Sequence, residues 1–264
     1  MTSLTRLIAA SFWSFLIVAG VASAQTGERL TDKQVKALLD TVDKGRDRFE
    51  DQLDGKLKDS ILRLPNGEVN VARFLDDLQE NTGRLKERFT AEYAASAEVA
   101  AVLRQSTAID AFMKQQPGIK GGSEWDSLAA SLGRLAVVYG TTFPLRGDAP
   151  VRRISDAEAM KAAAAIEDQA DQFKSAVNSE QALAKPAKDD LKSQADAVKN
   201  AARALKSRLN DSKPSTSEAR QLFAAVEKMR KSAGGLTPAL IGQMQAPLAT
   251  LNQAFGVIMP RAGS

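Results

Sequence analysis

The chain has 264 residues, with 36 lysines and arginines against 32 aspartates and glutamates, and it contains neither histidine nor cysteine. Those two absences remove imidazole proton shuttles, serine–histidine pairs, thiol nucleophiles, disulfides, haem ligation, zinc sites built on nitrogen or sulfur, and the Glu-x-x-His pairs of di-iron bundles. A net charge of +4 is close to balance and gives no basis for a nucleic-acid partner.

The first element is a secretion signal. Arg6 precedes the apolar run Leu7 to Val21, and Ala22-Ser23-Ala24 supplies the small-x-small pattern read by signal peptidase, so cleavage is expected between Ala24 and Gln25. The run is shorter than the roughly 20 residues needed to cross a bilayer, and no later stretch reads as a span. The expected product is a periplasmic or secreted protein that is not integral to the membrane. Cleavage takes Arg6 and no acid, so the net charge falls by one, from +4 to +3, and Trp125 is left as the sole tryptophan.

Apolar residues then recur at helical spacing, with proline and glycine marking the breaks, and no segment reads as a strand. Thr31 and Gln34 form a capping box that opens the first helix, whose stripe is Val35, Leu38, Val42, Phe49 and Leu53. Leu64-Pro65-Asn66-Gly67 closes that unit as a turn. The second helix carries Phe74, Leu75, Leu78, Leu85 and Phe89. The third runs from about Glu98 to Met113 and stops at Pro117-Gly118, and the fourth carries Trp125, Leu128, Leu132, Leu135 and Tyr139.

A linker around Phe143 to Val151 follows, after which the pattern returns. Ile154-Ser155-Asp156-Ala157-Glu158 repeats the logic of Leu30-Thr31-Asp32-Lys33-Gln34 at an offset of 124. The same offset pairs Val42 with Ile166, Phe49 with Phe173 and Leu53 with Val177. At 120, Leu85, Lys86 and Arg88 match Leu205, Lys206 and Arg208, and Glu98 matches Glu218. At 116, Leu132, Leu135, Tyr139 and Gly140 match Leu248, Leu251, Phe255 and Gly256. Ordered offsets predict an internal repeat. The expected fold is therefore all-α, two tandem degenerate four-helix up-down bundles: signal peptide over 1–24, first repeat over 28–146, second over 152–260. Thr90 to Ala97 holds no breaker, but its counterpart Asn210 to Ser217 contains Pro214 and three serines, which places a helix break there in both halves. Ala162 to Ala165 would let the helices of the second half approach closely.

Chemistry is sparse. Asp43, Asp47, Asp76 and Glu80 sit at i, i+4 on the first and second helices, a potential oxygen-ligand set, but Lys44, Arg46, Arg48 and Arg84 among them read as a solvated mixed-charge face. On the sixth helix, Lys188, Lys192, Lys199, Arg203 and Lys206 fall within about 60° of one another at 100° per residue, beside an apolar stripe. They make a candidate surface for an anionic partner, or lysine stems that cover the edge of the core. Trp125 and Tyr139 belong to a core stripe, and Phe143, beyond the helix end, is expected to be the most exposed of the three aromatics.

Leu30-Thr31-Asp32-Lys33-Gln34 resembles the L-T-x-x-Q motif of the Spy and CpxP type of periplasmic stress proteins, a likeness that implies a dimeric helical cradle with a basic concave face for unfolded clients. Ile109-Asp110-Ala111-Phe112-Met113, followed by Trp125, Leu128, Leu132, Leu135, Ala136 and Tyr139, resembles a group of uncharacterised secreted bacterial helical proteins. That likeness implies an architecture and no activity, and Ile241 stands in the tryptophan's place in the second half. The expectation is a non-enzymatic exported envelope protein, a binding or scaffolding module for another protein or an envelope component, with no cofactor and no metal. The alternatives are a Spy-like holding chaperone using the basic stripe and, more remotely, a carboxylate-based hydrolase.

Overall fold

The computed structural model describes residues 28–64, 67–234 and 238–256. The expected signal segment, its cleavage point, the Pro65-Asn66 turn and the end of the second half lie outside the described residues.

The protein is all-α apart from one small hairpin. In the first half, α1 (Asp32–Gln52) is followed by the short α2 (Gly55–Lys58), β1 (Ile61–Leu64), β2 (Gly67–Asn70), α3 (Val71–Arg88), α4 (Ser96–Lys114) and α5 (Gly122–Val138). The second half holds α6 (Asp156–Ser179), α7 (Lys185–Asn210), α8 (Thr216–Ala233), the short α9 (Pro238–Gln243) and α10 (Gln245–Phe255). The hairpin corrects the expectation that no segment forms a strand. Its antiparallel register runs from Ile61 opposite Asn70 to Leu64 opposite Gly67. Each strand is four residues long and only Leu62 is buried, so there is no alternation long enough to be read.

Both capping boxes form. Thr31 Oγ1 accepts from the Gln34 N–H at 3.3 Å while Gln34 Oε1 accepts from the Thr31 N–H at 2.9 Å, and Ser155 and Glu158 exchange the same pair at 3.1 and 2.9 Å. Each box satisfies two of the amides that a helix start leaves without partners. The two expected helix breaks also form, between Arg88 and Ser96 and between Asn210 and Thr216.

Each half buries its own apolar stripe. In the first, α1 packs on α5 and α3, α3 on α4, and α4 on α5, around Phe49, Leu75, Leu103, Leu132 and Tyr139. In the second, α6 packs on α7 and α10, α7 on α8, and α8 on α10, around Ile166, Phe173, Leu205, Leu222 and Leu251. The α6–α7 pair has the most extensive contact among the described helices. These are the two longest of the described helices, and both bury small residues, Ala159, Ala162, Ala163 and Ala170 on α6 and Ala195 and Ala202 on α7, which let two backbones approach. Surface pairs recur at the same offsets: Lys86 with Asp43 and Lys206 with Glu167, then Arg88 with Glu98 and Arg208 with Glu218.

Candidate binding site at the seam between the halves

The two halves meet where α1 and α6 begin, and the contact is reciprocal. The Asp32 N–H donates to Asp156 Oδ2 at 2.8 Å, and the Asp156 N–H donates to Asp32 Oδ2 at 2.8 Å. Arg29 pairs with Asp156 Oδ1 and donates to the Ile154 carbonyl at 2.7 Å. Arg153 pairs with Asp32 Oδ1 and donates to the Leu30 carbonyl, both at 2.7 Å. The Arg29 N–H donates to Thr216 Oγ1 at 3.1 Å and the Arg153 N–H to Ser96 Oγ at 3.2 Å. Arg29 and Arg153 are 124 positions apart, and Ser96 and Thr216 are 120 apart, two of the offsets noted in the sequence pattern. One exception breaks the symmetry. Glu28 accepts from the Ser215 and Thr216 amides at 2.8 and 2.9 Å, whereas position 152, its counterpart, is arginine.

Electrostatics explain why this clasp holds together. Each aspartate is the first residue of its helix, where the positive end of the dipole favours a carboxylate. All four charged side chains are at most 14% exposed, so each guanidinium needs its acid. Burial, and after it the neighbouring Arg153 charge, holds the Arg29 pKa below the usual arginine value, although a guanidinium stays protonated at neutral pH. The Nε atoms of Arg29 and Arg153 are both buried without a hydrogen-bond partner among the described residues.

The clasp floors an open groove of about 960 Å³. One wall is the C-terminal half of α5, with Ala130, Gly133, Arg134 and Val137; the other is the end of α10, with Ala254 and Phe255. Glycines with positive φ, Gly140 at 69° and Gly256 at 61°, turn the chain just past both helices, a conformation that strains residues with a Cβ. The Arg29 guanidinium lies 5.3 Å from the Phe255 ring centroid. Val137 is 43% exposed in the groove wall. Arg134 and Arg152 are exposed at its edge, and among the described residues neither pairs with an acid.

The basic stripe has a different environment. Lys199 pairs with Asp171 at 2.6 Å, and Arg203 and Lys206 both pair with Glu167, at 2.6 and 3.0 Å. Lys188 reaches the Asn178 carbonyl at 3.4 Å, and Lys192 is half-buried. Burial alone would raise the Glu167 pKa, but hydrogen bonds from Lys206 and Arg203 outweigh it and hold the carboxyl below its ordinary range. Three of the five cations thus bridge α7 to α6.

The acids of the first half do not converge either. Asp43 is held by Lys86 at 2.7 Å, Asp47 by Arg46 at 2.5 Å and Glu80 by Arg84 at 2.5 Å, while Asp76 is exposed. No group of three or more acids among the described residues is placed to hold a metal ion. Trp125 is buried 5.1 Å from Phe49, and its indole N–H donates to Asp110 at 3.1 Å. Tyr139 is fully buried and donates to the Ala94 carbonyl, while Phe143 is half-buried against the first core.

Sequence reasoning read Asp32 and Asp156 only as parts of capping boxes and passed over Arg29 and Arg153. The available signal was the shared Arg–apolar–hydroxyl–Asp order at one offset.

No protein-family model, curated protein or solved structure matches this chain. What defines its class is therefore the fold, an all-α protein with two helical cores joined at a charged seam. No helix among the described residues is long and apolar enough to cross a membrane.

Proposed function

We propose that the protein is a non-enzymatic exported binding module, built from two helical repeats and presenting the groove at their seam to an envelope partner. The observation that carries this reading is the composition of the groove. It draws apolar wall residues from both halves, Val137 and Ala130 from α5 and Phe255 and Ala254 from α10, beside two arginines without acidic partners among the described residues. Concave, mainly apolar surfaces with a few polar groups are where proteins hold ligands. Reciprocal contacts at offsets of 124 and 120 support the duplication. A fused pair explains how the groove arises where related helix ends meet. Export rests on Arg6, the apolar run and Ala22-Ser23-Ala24.

The holding-chaperone alternative gains little from the α7 stripe, because Lys199, Arg203 and Lys206 are engaged by Asp171 and Glu167. The test is a photoreactive residue placed at Val137, with a second at half-buried Ser131, which does not line the groove, as a control, in cells carrying the native envelope. A specific adduct from position 137 and none from 131 is the expected result. Equal labelling from both positions, or none from either, contradicts the reading.

A further inference from the structure

We infer that residues 28–30 are a releasable strap: they latch the second half to the first, and when they let go the halves hinge apart at 152–155 with both cores intact. The device goes beyond the proposed binding role and stands whether or not the groove holds a partner.

The chain crosses the seam twice, and the two crossings are not equivalent. Residues 152–155 join the linker after α5 to the start of α6, so each of their ends continues into a folded half. Residues 28–30 lead, among the described residues, only into α1, yet the side chains of Glu28 and Arg29 are spent on the second half. Glu28 accepts from the Ser215 and Thr216 amides at the start of α8, while Arg29 pairs with Asp156, donates to the Ile154 carbonyl and lies over the Phe255 ring. Leu30, the next residue, packs with the first core. This accounts for the one break in the symmetry of the seam. The crossing without a covalent hold on its far side carries Glu28, whereas the covalent crossing carries exposed Arg152 and leaves α4 without a side-chain cap.

Little else closes the seam. The two cores are separate, the first extending to Val151 and the second beginning at Ile154, and among the described residues no helix of one half packs extensively on a helix of the other. What remains is polar, namely the amide exchange of Asp32 with Asp156 and the Arg29 amide on Thr216. Domains move about small polar contacts unless a large apolar interface holds them. The buried charges do not forbid it. Removing one partner strands the other, but parting a pair hydrates both, and relief of desolvation offsets much of the lost attraction. Glu28 is itself exposed, so water reaches the outermost contact of the strap first. Residues 151–155 lie in no helix or strand, the kind of short segment that absorbs a hinge rotation. Glu28, Arg29 and Leu30 all line the groove, so release of the strap opens it.

The experiment measures the distance between the halves in the chain from Gln25 onward, by pulsed electron paramagnetic resonance on spin labels at S127C and A249C, exposed positions on α5 and α10. The chain has no other thiol to label. With the strap unaltered, one narrow distance distribution is expected. E28K sets a cation on the positive end of α8 and is expected to add a longer-distance population, with circular dichroism and Trp125 fluorescence unchanged. E28Q keeps the shape of the side chain without its charge and is expected to show the longer population at lower occupancy. R152E, a charge reversal at the covalent crossing, is expected to keep the narrow distribution. The inference is overturned if E28K, or E28Q should E28K lose helix, keeps the single distribution. It is overturned if R152E opens the seam as E28K does, or if the unaltered strap already gives as much of the longer population. Loss of helix in both E28K and E28Q overturns it as well, since the strap would then be part of a core and not a latch.

Discussion

Asp32 and Asp156, 124 residues apart, each accept the other's backbone N–H at 2.8 Å, so that the first residue of α1 and the first residue of α6 cap one another across the seam. The arrangement is that of a two-fold interface in which residue i meets j and j meets i, here closed within one chain.

Breaking this clasp from one side is expected to be costly. D156A leaves the Arg29 guanidinium buried without its acid and the Asp32 amide without its acceptor. A loss of about 3–5 kcal/mol follows for a broken buried pair, and R29M/D156L, which removes both charges, should regain much of it. Urea titration followed by Trp125 fluorescence and by circular dichroism measures both variants. Trp125 reports the first core alone, so its transition should separate from the helical signal in D156A and coincide with it in the wild type.

Acid is expected to weaken both halves through matching pairs. Burial would raise Asp43 and Glu167, but hydrogen bonds from Lys86 and Arg46, and from Lys206 and Arg203, hold both carboxyls below their ordinary values. A depressed folded-state pKa contributes stability above the unfolded value and loses it as pH falls through the folded one, hence below about pH 5. The stability difference between wild type and K86M or K206M should therefore shrink on acidification. A difference independent of pH from neutral to acid would contradict the pairing.

Alkali tests the other end of the scale. Burial pushes the Tyr139 phenol well above its ordinary pKa. A raised pKa stabilises below the unfolded value and is lost above it, so the fold should weaken beyond about pH 10. Ultraviolet titration should find Tyr93 ionising in the folded protein and Tyr139 only as the fold is lost. Y139F leaves the buried Ala94 carbonyl without its donor and is expected to cost about 1–2 kcal/mol. Phe255 at the matching position of the second half shows that the ring alone serves the core.

The α7 stripe should behave as an inter-helix bridge. K199E opposes Asp171 and is expected to lower stability by up to about 1 kcal/mol, the scale of a partly exposed pair. D171K/K199E should recover part of that loss in thermal unfolding. A stripe that serves clients would instead lose client-holding at unchanged stability.

The parts of this protein readable from sequence are those set by local periodicity and capping. Thr31 with Gln34 and Ser155 with Glu158 announce both helix starts, and the stripes through Phe49 and Phe173 name the cores. Even the break before Ser96 was readable, because Pro214 marks its counterpart. The hairpin was not, since four-residue strands with one buried side chain carry no period. Nor was the seam. An arginine beside a helix start ordinarily points to water, and nothing local says that Arg29 finds its acid on a helix more than a hundred residues away. The groove escaped for the same reason, since its walls come from the ends of α5 and α10, which only the clasp brings together.

The measurement that bears most directly on the seam as a single binding site is adduct formation in the native envelope from a photoreactive residue at Ala254, with and without G133W. Ala254 belongs to the second half and Gly133 to the first, and both line the groove. A specific adduct from position 254 that disappears when G133W fills the opposite wall is the result expected. An adduct that persists undiminished in a folded G133W protein would contradict a site shared by the two halves.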